Sequence, residues 1–290
     1  MDRSSGSSSS RRLSVLAAHV SSSGQPAFVS LEQAAHMPGV RVTFVQGVPA
    51  IFAECLKNLM DAVGVNYSRV VHPMMGRGDN QALLYSLTAQ RSLPTLFHED
   101  DCPRSTWGEQ LALVDRLGVA GGRPSLLPAG AAERTRMFGL LHELLGENGV
   151  CWNKRLLFGE NALTRKYGWS AAAEAAAAPR LVEQVAMFGA QLVAQQARGQ
   201  PHYLVGDALS AVDIYWATCT YMLFPPGPEM LPRTKQNQGL VDGAFSWNPE
   251  PVQEAIDEHL QRFTEHRSFV LGKHCVIPAV LGGTPVPGDE

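Results

Sequence analysis

The sequence predicts an α/β domain followed by an all-helical domain. Three observations carry this. Short β-branched and aromatic runs alternate with helical periodicity up to about residue 118. Gly121, Gly122, Pro124, Pro128 and Gly130 then surround Leu126-Leu127 and read as a linker. Beyond them the periodicity is helical almost throughout. At 290 residues the chain suits two domains of ordinary size.

Taken in order, Val40–Val45 reads as a strand, punctuated by Gly47 and Pro49. Ile51, Cys55, Leu59 and Val63 recur every four residues, the mark of a helix with one apolar face, and Gly64 is its expected C-cap. Tyr67–His72 reads as a second strand, Asn80–Thr88 as a short helix and Leu93–Phe97 as a third strand. His98-Glu99-Asp100-Asp101 supplies a turn, and a helix runs from Ser105 to Leu117, closed by Gly118. This order is a thioredoxin-like plan over residues 40–118, in which the fourth strand has to be very short. The linker spans 119–130. Helices are expected at 131–147, 171–198, 210–223 and 251–266 of a helical domain covering 131–277, with 225–250 a Pro/Gly-rich loop or insertion. The Ala171–Ala178 tract is helix-prone and reads as a spacer.

The two ends read differently. Residues 1–39 are expected to be a disordered Ser/Arg-rich tail or a transit peptide: Arg3, Arg11 and Arg12 stand against one early acid, Asp2. Residues 278–290 also read as unstructured. The expected location is cytoplasmic, or mitochondrion or plastid if the N-terminal segment is a transit peptide.

A formal charge of -3 with 18% charged residues points away from nucleic acid. Five scattered cysteines without a CxxC suggest neither a disulfide framework nor a zinc site. The longest apolar run, Ile214–Phe224, is 11 residues, too short to span a bilayer.

Two local patterns carry chemistry. A cis Leu93–Pro94 bond would turn the backbone N–H and C=O of Leu93 outward, free to pair with a peptide-like ligand. Ser105, at a helix start, would offer its hydroxyl and neighbouring N–H groups to a carboxylate, although an ordinary N-cap is the plainer reading of a serine there. In the second domain, Ser210 and Asp213 have capping-box spacing before the apolar run Ile214-Tyr215-Trp216.

Taken together, the Leu-Pro strand, the Ser-headed helix and the stretch Tyr203-Leu204-Val205-Gly206-Asp207-Ala208-Leu209-Ser210-Ala211-Val212-Asp213 resemble the cytosolic glutathione transferase superfamily over roughly residues 41–277. Met137–Glu143 with His266-Arg267 resembles a bacterial-type branch. The resemblance implies glutathione as co-substrate, with Leu93 pairing with its cysteinyl backbone, Pro94 as the cis proline and Ser105 on the γ-glutamyl carboxylate. Arg104 stands where the family usually has an acid for the ligand's ammonium group, and could instead grip a carboxylate. His72, Arg77 and Arg91 are available to the glycyl carboxylate.

The larger departure is at the first helix. Ala50-Ile51-Phe52-Ala53-Glu54 resembles the Cys-Pro-Phe-Ala-Glu stretch of omega-type members, placing Ala50 at the reactive position. Gln46 to Ala50 contain no hydroxyl and no thiol, so the catalytic residue is unassigned. Cys55, in the same helix, lies on its apolar face and reads as a buried thiol. The resemblance places Met137, Leu141 and His142 at the electrophile pocket. His142, Glu143 and Glu147 share neighbouring helical turns but lack a third metal ligand, and no metal is expected. Two functions follow: an enzyme that binds glutathione and conjugates or reduces a small hydrophobic electrophile, or a non-catalytic binding or scaffold protein on the same fold. A homodimer is carried over from the family.

Overall fold

In the computed structural model the structure describes residues 28–72 and 81–282. The N-terminal segment through residue 27, Arg77, and the last residues from 283 lie outside them.

The first domain is built on strands β1 (Val40–Phe44), β2 (Tyr67–Val71) and β3 (Leu96–His98), in the order β2-β1-β3. β1 runs parallel to β2, Val40 facing Tyr67, and antiparallel to β3, Val40 facing His98. The fourth strand is reduced to one antiparallel bridge between Leu96 and Arg104, as short as expected. Every residue of β1 is buried, because helices cover both faces. Helices α1 (Leu31–Ala34), α2 (Ile51–Ala62), α3 (Gln81–Thr88) and α4 (Trp107–Ala120) supply that cover. On one face Ile51, Leu56 and Leu59 of α2 and Leu111 and Val114 of α4 meet Val42, Phe44 and Leu96. On the other, Leu31, Ala34 and Leu84 meet Val70 and Phe97.

That second layer corrects the expectation for the N-terminal tail, because residues 28–39 are folded. Val29 adds to β2 beside Val70, its N–H reaching Arg69 O at 2.8 Å. Ser30 and Gln33 then close a reciprocal capping box on α1. Val29, Leu31 and Ala34 would otherwise leave Val70 and Phe97 open to water. The expectation for the C-terminal tail is corrected for residues 279–282, the rest of it lying outside the described residues. Ala279 N–H reaches Met230 O (2.9 Å), Leu281 O accepts from Gly47 N–H (3.2 Å), and Gly282 N–H donates to the Glu54 carboxyl (2.9 Å). Ala279 and Leu281 are buried.

The helical domain contains α5 (Ala131–Leu145), α6 (Val150–Leu156), α7 (Ala162–Lys166), α8 (Ala171–Ala197), α9 (Ala211–Cys219) and α10 (Glu250–His274). A 3-10 turn at Thr220–Met222 and a π turn at Leu240–Phe245 lie between α9 and α10. Periodicity does not predict α6 or α7. All nine residues of α9 are buried, and the Asp213 carboxylate organises its start. It accepts from Ser210 N–H (2.9 Å), Ser210 Oγ–H (2.7 Å) and Leu204 N–H (2.6 Å), with His266 Nε2 at 3.2 Å. The expected capping pair is thus the hub of a buried network. α9 also joins the domains: Asn58 Nδ2 of α2 donates to Thr218 Oγ1 at 2.9 Å. The 225–250 segment is packed, with Leu231, Asn237 and Val241 fully buried. No helix among the described residues is long and apolar enough to cross a membrane.

Candidate active site

The site begins at the first turn of α2. Its N-cap is Ala50, which has no side chain to accept from the exposed N–H groups. Ala53 and Glu54 N–H bond back to Ala50 O, so the earlier N–H groups of the turn face outward. Ala50, Ile51 and Phe52 line a cavity of about 430 Å³, within the range of small-molecule sites. The loop before them is held rigidly. Gly47 takes a positive φ of 69°, its N–H bonds Leu281 O, and its O accepts from Asn237 Nδ2 at 3.2 Å.

Leu93 lines the same cavity, and the Leu93–Pro94 peptide is cis. Neither the N–H nor the C=O of Leu93 makes a hydrogen bond with any described residue. The turn is fixed instead by its neighbours. Thr95 N–H donates to Thr43 Oγ1 (2.8 Å), and buried Gln110 Nε2 donates to both Pro94 O (2.9 Å) and Arg104 O (3.1 Å). Gln110 therefore ties the Leu93-Pro94 turn to the strand that delivers Ser105.

Ser105 is not the N-cap of α4. Thr106 takes that role, its Oγ1 accepting from Glu109 N–H. Ser105 Oγ is left buried with no hydrogen-bond partner, a state that costs free energy unless a ligand answers it. Pro94, Arg104 and Ser105 are not among the residues that line the cavity. Arg104 is turned away: its guanidinium donates to Asp101 (3.2 Å) and Cys102 O (3.3 Å). His98 and Arg104 in turn hold the Asp101 carboxyl below its usual range. The expected grip of Arg104 on a ligand carboxylate is thus replaced by a grip on its own turn.

The helical wall of the cavity is a second correction. Met137 and Leu141 are fully buried in the core and His142 is exposed on α5; none of the three lines the cavity. Arg155, Phe158, Ala162, Leu163, Lys166 and Tyr167 do, from α6, α7 and their flanks, with Met222, Leu240 and Phe245. Met137 and Leu141 turn inward because α5 packs on α9. The wall residues lie in segments too short to show a period. Phe158 stacks on Phe245 with centroids 6.3 Å apart. The Arg155 guanidinium lies between two rings, 4.8 Å from Phe52 and 5.0 Å from Tyr167.

Other sequence candidates fall elsewhere. Arg91 and His72 line the cavity. Cys55 is fully buried, 3.7 Å from Cys219 Sγ, and burial pushes its thiol up from the ordinary value. It is not a nucleophile facing a ligand. Glu143 pairs with Arg180 at 2.6 Å rather than with His142. Among the described residues no group of three or more His, Cys, Asp or Glu is arranged to hold a metal.

Residues 160–241 match the family model "Glutathione S-transferase, C-terminal domain". No curated protein matches the chain by sequence. Among solved structures, the chain is similar to the nitrogen regulation fragment of the yeast prion protein Ure2p, at 13% identity and TM-score 0.58, over 81% of this chain and 92% of that one. Ure2p in complex with glutathione gives the same values. A Tau class glutathione S-transferase from mango, Mangifera indica, matches at 17% identity and TM-score 0.52, over 79% and 88%. A glutathione transferase homolog from Sulfitobacter with bound glutathione matches at 13% and 0.52, over 82% and 94%. At these identities the likeness is one of fold.

Proposed function

Because the fold is glutathione transferase-like and residues 160–241 match a glutathione S-transferase C-terminal domain, we propose that this chain binds glutathione between the Leu93-Pro94 turn and the first turn of α2. The observation that carries this reading is the placement of two unsatisfied backbone sets on one cavity: the N–H and C=O of Leu93, and the uncapped N–H groups above Ala50. The first would pair with the cysteinyl backbone of glutathione. The second would receive its sulfur, since free helix N–H groups and the helix dipole stabilise a thiolate. Ser105, buried and unpartnered, would take the γ-glutamyl carboxylate.

Catalysis in this reading is displacement. The thiol proton leaves to solvent and the thiolate forms a carbon–sulfur bond to the electrophile, while the leaving group departs with its electron pair. The rate enhancement comes from holding two reactants together and from backbone stabilisation of the anion. A second reading, a non-catalytic binding protein, is favoured by the absence of a hydroxyl or thiol from Gln46 to Ala50.

Calorimetric titration with glutathione, paired with a conjugation assay on an aromatic halide, tests both. The expected result is binding that weakens about tenfold in Ser105→Ala, the order of one charge-assisted hydrogen bond. Absence of binding at millimolar glutathione would sink the site altogether. Binding without conjugation would leave the non-catalytic reading.

A further inference from the structure

The helical wall of the cavity carries cations without counter-ions. Arg155 and Lys166 line it, Arg91 of the first domain also lines the cavity, and the described lining contains no Asp or Glu. Neither Arg155 nor Lys166 belongs to any of the salt bridges among the described residues. Arg155 is 8% exposed; Nη1 donates to Cys151 O at 2.8 Å, and the Cys151 thiol is also within its reach. A guanidinium has five N–H donors. Arg155 lines the cavity, and none of its nitrogens is among the buried, unpartnered atoms of the described residues. Lys166 Nζ stands at the rim, donating to Arg91 O at 3.2 Å. Desolvation, and then the like charge of Arg155, hold its ammonium below the ordinary value. An anion between the two cations would relieve that repulsion.

Around these charges the wall is aromatic and aliphatic: Phe52, Phe158, Tyr167, Met222 and Phe245. Two of the three cations, Arg155 and Lys166, thus come from the helical domain and one, Arg91, from the first domain. We propose that the helical-domain side of the cavity takes a co-substrate with a planar apolar body and an anionic head, of the aromatic carboxylate class. The body would stack on the Phe158–Phe245 pair and the head would take N–H donors of Arg155 and Lys166. This rests on the glutathione reading above and names the partner molecule it leaves open.

The test compares two ligands of equal shape, S-(4-carboxybenzyl)glutathione and S-(4-carbamoylbenzyl)glutathione, by calorimetry on the wild type, Arg155→Met, Arg155→Lys and Lys166→Met. The wild type is expected to favour the carboxylate about tenfold, the worth of one charge-assisted hydrogen bond. The preference should shrink toward unity in the two methionine variants and survive in part in Arg155→Lys. Equal binding of the two ligands by the wild type overturns the proposal, as does a preference that persists in both methionine variants. A rise in the pKa of bound glutathione's thiol in Arg155→Met with the preference intact also overturns it, by assigning Arg155 to the thiolate. If the variants do not fold, the wild-type preference and its loss with rising salt decide the matter. If neither conjugate nor glutathione binds, the glutathione reading fails separately. A fluorescence titration with 2-naphthoate against 2-naphthamide then decides the anionic subsite alone, preference for naphthoate supporting it and parity overturning it.

Discussion

At the scale of single residues, the unusual group is Glu54, one turn into α2 and fully buried. Burial pushes its carboxyl up from 4.5 to about 7, against the pull of Lys57 and of the Gly282 N–H. A carboxyl raised on folding is ionised first in the unfolded chain, so stability falls as pH rises from about 4.5 to about 7 and then levels off. Glu54→Gln keeps an acceptor for Gly282 and removes the titration. Urea unfolding across this window should show the variant gaining on the wild type as pH rises, by up to about 3 kcal/mol at 1.36 kcal/mol per unit. A parallel pH profile for the two proteins would show that Glu54 titrates normally. Residues whose role follows from backbone chemistry were legible in the sequence. Leu93-Pro94 and Ala50 are examples, because proline and a missing side chain act wherever they stand. Arg155 was not legible: its meaning comes from Phe52, about a hundred positions earlier, and from Tyr167.

Among the elements, α2 shows the cost of an open site. A serine, threonine or aspartate at its N-cap would satisfy one of the free N–H groups, yet Ala50 leaves them all. Ala50→Ser should therefore raise stability by about 1 kcal/mol, as N-cap serines do, while placing a hydroxyl against the proposed seat of the sulfur. Thermal unfolding and glutathione titration of the same variant separate the two effects. A variant no more stable than wild type would mean that the N–H groups above Ala50 are already satisfied. The long periodic elements were readable in the sequence: β1, β2, α2, α4, α8 and α9 each lie within a few residues of expectation. The helices that escaped it are α1, α6 and α7, of four, seven and five residues. None is long enough to repeat a pattern, and two of the three build the wall of the cavity. The resemblance thus points to α5 for the electrophile side, whereas the apolar stripe of α5 belongs to the core.

Across the whole molecule, the loop that leads into α2 is fastened from two distant places. Asn237, in the 225–250 segment, holds Gly47 O, while the strap at residues 279–282 holds Gly47 N–H and the Glu54 carboxyl. The strap fits closely. Gly282 sits at a positive φ of 50°, and a Cβ there would meet Val45 O at 2.2 Å. A chain ending at Pro278 should lose about 1–3 kcal/mol, the usual cost of leaving a buried polar group without its partner. Hydrogen exchange should show the loss concentrated between residues 45 and 58. Uniform exchange, with stability unchanged, would mean that the strap rides passively on the domain.

That strap also ties the first domain to the end of synthesis. Glu54 waits for a partner 228 residues downstream, which the ribosome delivers roughly 10–50 s later at ordinary rates of synthesis. The first domain to emerge therefore receives this contact only after the helical domain has been made.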